Sequence, residues 1–107
     1  MSPGDFRRIA LSMPKAVEVF QLGHPVFRVG RKAFATLEGP ANSTAVVRLT
    51  PDQQAMFMSQ APTIFAPVAG GWGRLGSTNV QLTIANRATV EEAIAAAWGN
   101  VAESEVR

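Results

Sequence analysis

No cysteine occurs in this chain, which removes disulfides, thiolate metal sites and cysteine nucleophiles together. Histidine is nearly absent as well. His24 stands alone, and scattered carboxylates around a single imidazole supply no metal-ligand cluster. No apolar run approaches the ~18 residues that a bilayer crossing needs, and the opening Met-Ser-Pro-Gly-Asp-Phe-Arg-Arg leads into no secretory core. The expectation is a soluble cytoplasmic protein with no membrane partner. Excess charge is also small: ten basic against eight acidic residues, a net +2, are weaker than the dense field of a strong nonspecific nucleic-acid binder.

What is present suits a packed domain. With 47% apolar and 17% charged residues, the 107-residue chain reads as one domain, residues 1–107, able to bury a core without a metal or disulfide staple. No cofactor is expected, and the expected state is a monomer.

The most distinctive stretch is Ala-Gly-Gly-Trp-Gly-Arg-Leu-Gly-Ser, Ala69 to Ser77. Glycine reaches positive φ at little steric cost and admits close approach of another surface. Four glycines around Trp72 therefore imply a tight, shaped loop. After it, Val80, Leu82 and Ile84 alternate with Gln81 and Thr83, which predicts a half-buried strand over Thr78 to Ile84. A Walker or Rossmann phosphate loop opens a helix. This stretch has no lysine and leads to a strand, so that kind of nucleotide site is not expected.

Ser2-Pro3-Gly4-Asp5 carries the N-cap, proline and acidic signals of a helix start, and Pro14 closes that helix. Short strands follow over Val17–Phe20, Val26–Val29, Ala33–Leu37 and Thr44–Leu49, separated by turns at Gly23-His24-Pro25, Gly30-Arg31-Lys32 and Gly39 to Ser43. Thr50-Pro51-Asp52 starts a second helix that Ala61-Pro62 stops, with Ala55 and either Met58 or Phe57 facing inward. Ile64 to Val68 is a short extended segment. Thr89 with Glu92 reads as a capping box, and Val90, Ile94, Ala97, Trp98 and Val101 stripe the last helix, with a frayed tail from Ala102. The order α-β-β-β-β-α-(β)-β-α predicts an α+β fold: an antiparallel sheet with helices packed on one face.

These motifs together resemble the MmcQ/YjbR-like family. They are Phe6 to Pro14, Gly23 to Val29 with Lys32 to Ala35, Leu49 to Gln54, Gly70 to Arg74 and Ala97 to Val101. The resemblance implies a frataxin-like α/β sandwich, a "double-wing" motif and DNA as partner; the expected role is non-enzymatic. Leu75, Asn79 and Gln81 stand where that pattern often carries Arg or Lys.

The candidate nucleic-acid-binding residues are Arg28, Arg31, Lys32, Arg48 and Arg74, with Trp72 beside them. Arg31 and Lys32 lie at a turn tip where a wing meets a backbone; Arg28 and Arg48 extend that patch if they share a sheet face. Contacts of this kind position a protein without reading sequence. The same charges also serve to keep edge strands from aggregating. Trp72 has two readings. It folds onto the sheet, which tryptophan's average burial favours, or it is presented with Arg74 to a ligand, where an indole stacks on a base. His24 reads as a turn histidine bonded to backbone. The other class of function open to the sequence is a small-molecule or protein-interaction module with a pocket near Trp72 and His24. Trp98, Phe20, Phe27, Phe34 and Phe65 read as packing residues.

Overall fold

Ser2 and Asp5 begin the first helix as the sequence predicts. The Ser2 hydroxyl accepts from the Asp5 amide at 3.0 Å, and the Asp5 carboxylate accepts from the Ser2 amide at 3.2 Å. This closed capping box starts α1, Pro3–Ser12. The computed structural model describes residues 1–106. Thr50 and Gln53 make the same reciprocal pair at the start of α2, Pro51–Gln60. In both helices Pro occupies the first turn, where its missing N–H costs nothing.

Between and after them lie six strands: β1 Val17–Gln21, β2 His24–Val29, β3 Lys32–Glu38, β4 Thr44–Arg48, β5 Phe65–Pro67 and β6 Ser77–Gln81. They form one sheet in the order β1-β2-β3-β4-β6-β5, with every neighbouring pair antiparallel. A four-residue helical turn, α3 Gly71–Arg74, joins β5 to β6, and α4 spans Arg87–Val106. The fold is thus α+β.

Register shows where the core sits. Phe27, Ala35, Val47 and Thr78 pair in a row across β2, β3, β4 and β6, and all four are buried. Above this face α1 places Phe6 against Phe27 with ring centroids 6.1 Å apart, and α2 places Phe57 against Phe65 at 5.3 Å. The last helix covers the middle strands and contributes Val90, Ile94 and Ala97 to the same core. A register shift between Phe27 and Arg28 lets β3 bury both Phe34 and Ala35, where strict alternation would bury one of them. All three long helices therefore lie on one face, and the other face of the sheet is left open.

Several expectations are corrected. Phe20 is 69% exposed near the end of the edge strand β1 and does not pack. In α2, Phe57 and the partly buried Met58 face the core, whereas Ala55 is exposed. The strand after the glycine stretch ends at Gln81. Leu82–Ile84 forms a 3-10 turn that buries Leu82 and leaves Ile84 56% exposed. The last helix starts earlier than Thr89: the Asn86 side chain accepts from the Thr89 amide at 2.9 Å, so Asn86 is the cap. Nor does this helix fray at Ala102, which is buried, and its backbone continues to Val106. The β1–β2 turn is made by Leu22 and Gly23, both at positive φ, and His24-Pro25 already belongs to β2. Trp98 packs against the core edge and donates its Nε1–H to the Pro14 carbonyl at 2.9 Å.

Candidate nucleic-acid interface

Strand direction gathers the predicted basic residues. β2 and β4 run toward one end of the sheet while β3 and β6 run away from it. Arg28 and Arg48 sit at the finish of β2 and β4, Arg31 and Lys32 form the β2–β3 turn and the start of β3, and α3 precedes the start of β6. All the predicted residues therefore reach the same end. Arg28 alternates with buried Phe27 and Val29, and Arg48 with buried Val47 and Leu49. Because Phe27 and Val47 share the core-facing row, Arg28 and Arg48 share the open face, two strand spacings or about 10 Å apart. Among the described residues, Arg28, Arg31, Arg48 and Arg74 make no ion pair, in contrast to Arg7 with Glu18, Arg8 with Asp5 and Arg87 with Glu91. Arg28 is half-buried, and its Nε is shielded from solvent without an acceptor.

Beside Arg48 the open face forms a cleft of about 270 Å³, and its lining follows the register. Thr36, Val46 and Asn79 are directly paired across β3, β4 and β6 and make the floor. Arg48 and its partner Ser77 make the next row toward the basic end, and Glu38 lies at the opposite end, accepting from the Thr36 hydroxyl at 2.8 Å. Val68 and Trp72 form the wall.

Trp72 does not fold onto the core. Its side chain is 65% exposed at the rim, with the Arg48 guanidinium carbon 5.9 Å from the ring centroid, within cation–π range. The glycines hold it there by close approach elsewhere. A Cβ on Gly73 would lie 1.8 Å from the Val68 carbonyl oxygen, and one on Gly76, at φ +112°, would lie 1.9 Å from that of Leu49. Gln54 reaches over from α2, its Nε2 within hydrogen-bond distance of the carbonyls of Gly73 (3.0 Å) and Ser77 (3.1 Å) and of the Thr78 hydroxyl (3.1 Å). Thr78 donates its own hydroxyl in a hydrogen bond to the Gly76 carbonyl at 2.8 Å. On the other side of the cleft, Asn100 donates to the Arg48 carbonyl at 3.1 Å and to Gln53 Oε1 at 2.8 Å. The backbones of Gly73, next to Trp72, and of Arg48 are thus held by side chains of helices on the far side of the sheet.

Not every predicted residue joins this cleft. Arg74 follows Trp72 by two residues in a helical turn, which places it about 200° around the axis, and it does not line the cleft. His24 is exposed at the start of β2, the opposite end of the sheet from Trp72, so the two share no pocket. Thr36, Glu38, Val46, Val68 and Ser77 are not among the site candidates of the sequence, and Asn79 stands there only as a departure from the basic pattern of the wing. For Val46 the signal is present, since alternation along β4 puts it on the face of Arg48. For the others it depends on the order of strands.

Among curated proteins, none matches this chain. The crystal structure of Deinococcus radiodurans protein DR2400, a DUF419 domain, superposes with a TM-score of 0.72 over 90% of this chain and 75% of that one, at 17% identity. That likeness shows the fold. The YjbR family model matches residues 11–100, a span that takes in β1 through most of α4 and therefore the whole cleft with its Gln54 and Asn100 supports. By that match the chain belongs to the YjbR family.

Proposed function

We propose that this protein binds DNA, without catalysis, by holding the phosphate backbone along the basic end of the open sheet face and the glycine turn. The observation that carries this reading is the placement of Arg28 and Arg48 on one face, with Arg31 and Lys32 on the hairpin tip beside them. Guanidinium groups without an acidic partner suit phosphate oxygens, which they bind through paired N–H donors. The arrangement positions a strand and does not read bases in a groove. A binding role is also favoured by the distance of His24, the one imidazole, from this surface. No helix among the described residues is long and apolar enough to cross a membrane, and a cytoplasmic monomer acting on DNA belongs to the same proposal.

A salt titration tests it. Binding driven by phosphate contacts falls linearly in log–log form, by about 0.9 per phosphate neutralised on duplex DNA. Replacing Arg31 or Arg48 with Gln is expected to weaken binding similarly on all sequences and to reduce the slope by about one for each arginine. No binding at low salt refutes the proposal.

A further inference from the structure

We infer that the cleft between Trp72 and Arg48 is a seat for one unpaired nucleobase, so that the strand this protein prefers is single. This inference rests on the DNA-binding reading above and adds the form of nucleic acid.

Four features of the cleft point to a flat, polar-edged guest with an attached anion. First, its wall is an exposed indole on a closely packed turn, because Gly73 and Gly76 lie against Val68 and Leu49 and Gln54 bonds to the carbonyls of Gly73 and Ser77. An exposed aromatic held rigid loses little entropy when a ring stacks on it. Second, the size is small. About 270 Å³ falls just below the roughly 300–1,000 Å³ of ordinary ligand pockets, enough for a single ring system. Third, the floor offers unused hydrogen-bonding groups: among the described residues, neither the Ser77 hydroxyl nor the Asn79 amide has a side-chain partner, and Val46, paired with Asn79 from the neighbouring β4, supplies an apolar surface. An amide presents both a donor and an acceptor to a base edge. Fourth, the ends differ in charge. Arg48 stands at the basic end and Glu38 about four residues away along the strands, roughly 14 Å by strand rise. A phosphate is attracted to the first and repelled by the second, so the sugar–phosphate lies toward Arg48 and Arg28 and the base points inward.

A duplex cannot use this seat without unstacking and unpairing the base, which costs free energy that binding a single strand does not. Single-stranded binding combines such stacking platforms with a basic track. Here the track is the sheet end and the platform is Trp72.

The experiment compares a short labelled single-stranded DNA with the duplex it forms with its complement, by fluorescence anisotropy at one low salt concentration. Wild-type protein, Trp72→Ala and Trp72→Phe are measured, and free deoxyadenosine monophosphate is titrated separately. The expected result is tighter binding of the single strand. Trp72→Ala should weaken it by about 5- to 150-fold, the range one base–aromatic stack is worth, and should weaken duplex binding by a clearly smaller factor. Trp72→Phe should restore most of the loss. Since the side chain is largely exposed, the thermal midpoint should stay near wild type, which separates lost stacking from lost folding. Equal affinity for both forms, or an equal loss on both in Trp72→Ala, overturns the base seat and leaves DNA binding standing. Binding of the mononucleotide without binding of either DNA overturns the strand preference and the DNA-binding reading together, and makes the cleft a nucleotide site. No binding of any of the three overturns both as well.

Discussion

The side-chain amide of Gln54 donates to the carbonyl oxygen of Gly73 at 3.0 Å, tying α2 to the turn that carries Trp72. The same nitrogen faces the Ser77 carbonyl and the Thr78 hydroxyl, and Thr78 is fully buried. Gln54→Leu would remove the hydrogen bonds from both N–H groups of this amide, while the Gly73 and Ser77 carbonyls keep their backbone donors from Gly76 and Val68. The expected cost is about 1–3 kcal/mol, or a fall in thermal midpoint of about 4 °C or more. Trp72 emission should become more readily quenched as the turn loosens. A variant with unchanged stability and unchanged quenching would show that Gln54 does not support the turn.

The glycines of the same stretch should divide sharply. Gly73→Ala and Gly76→Ala place a Cβ within 1.9 Å of a backbone oxygen, and Gly76 also needs its positive φ. Backbone must move in both, so a loss of about 3 kcal/mol or more is expected, seen as poor yield or a much lower urea midpoint. Gly71→Ala meets nothing within 4 Å and sits in the α3 turn. It should be neutral or stabilise by about 0.4–1 kcal/mol by restricting the unfolded chain. If all three behave alike, close packing is not the reason for the glycines.

That division marks the limit of what could be read from the chain. Signals that act within four residues are legible: Ser2 with Asp5 and Thr50 with Gln53 cap as their spacing says. Thr89 with Glu92 has the same spacing, yet Asn86 with Thr89 has it too, and local pattern cannot choose between them. The open-face pairing of Arg28 with Arg48 depends on alternation, which is local, and on strand order, which is not. Trp72 lay beyond local reasoning altogether. Its exposure is set by Val68, Leu49 and Gln54, residues brought to the turn only by the β4–β6 and β5–β6 pairings. Average burial of tryptophan then points the wrong way. Phe20 fails similarly, since nothing in its strand shows that β1 is an edge.

Acid should loosen the start of α1. Hydrogen bonds from the Ser2 backbone and hydroxyl, and then from Arg8, hold the Asp5 carboxyl below its ordinary value of 3.8. A carboxylate whose native pKa is depressed adds stability that is fully present above the unfolded value and is lost as pH falls through the native one. Wild type should therefore exceed Asp5→Asn in urea midpoint near neutral pH. The gap should close as pH drops below about 3.8. A gap that persists unchanged at the acid end would mean that the charge on Asp5 is not what the cap uses.

Arg28 offers the cleanest separation of stability from binding. Its Nε is shielded from solvent and has no acceptor, a condition that costs about 1–3 kcal/mol for a buried donor. The residue lies on the open face with its aliphatic stem among strand neighbours, so methionine can replace the stem while removing both the orphan donor and the charge. A residue kept for structure alone would destabilise the fold when replaced. Here the opposite is expected: Arg28→Met should unfold at the same urea concentration as wild type or higher, by up to about 1 kcal/mol. Its DNA binding should weaken, with the salt slope reduced by about one. Loss of stability with DNA binding intact would assign Arg28 to the scaffold. Gain of stability with binding reduced would show that an uncompensated arginine is retained on this face for its contact with phosphate.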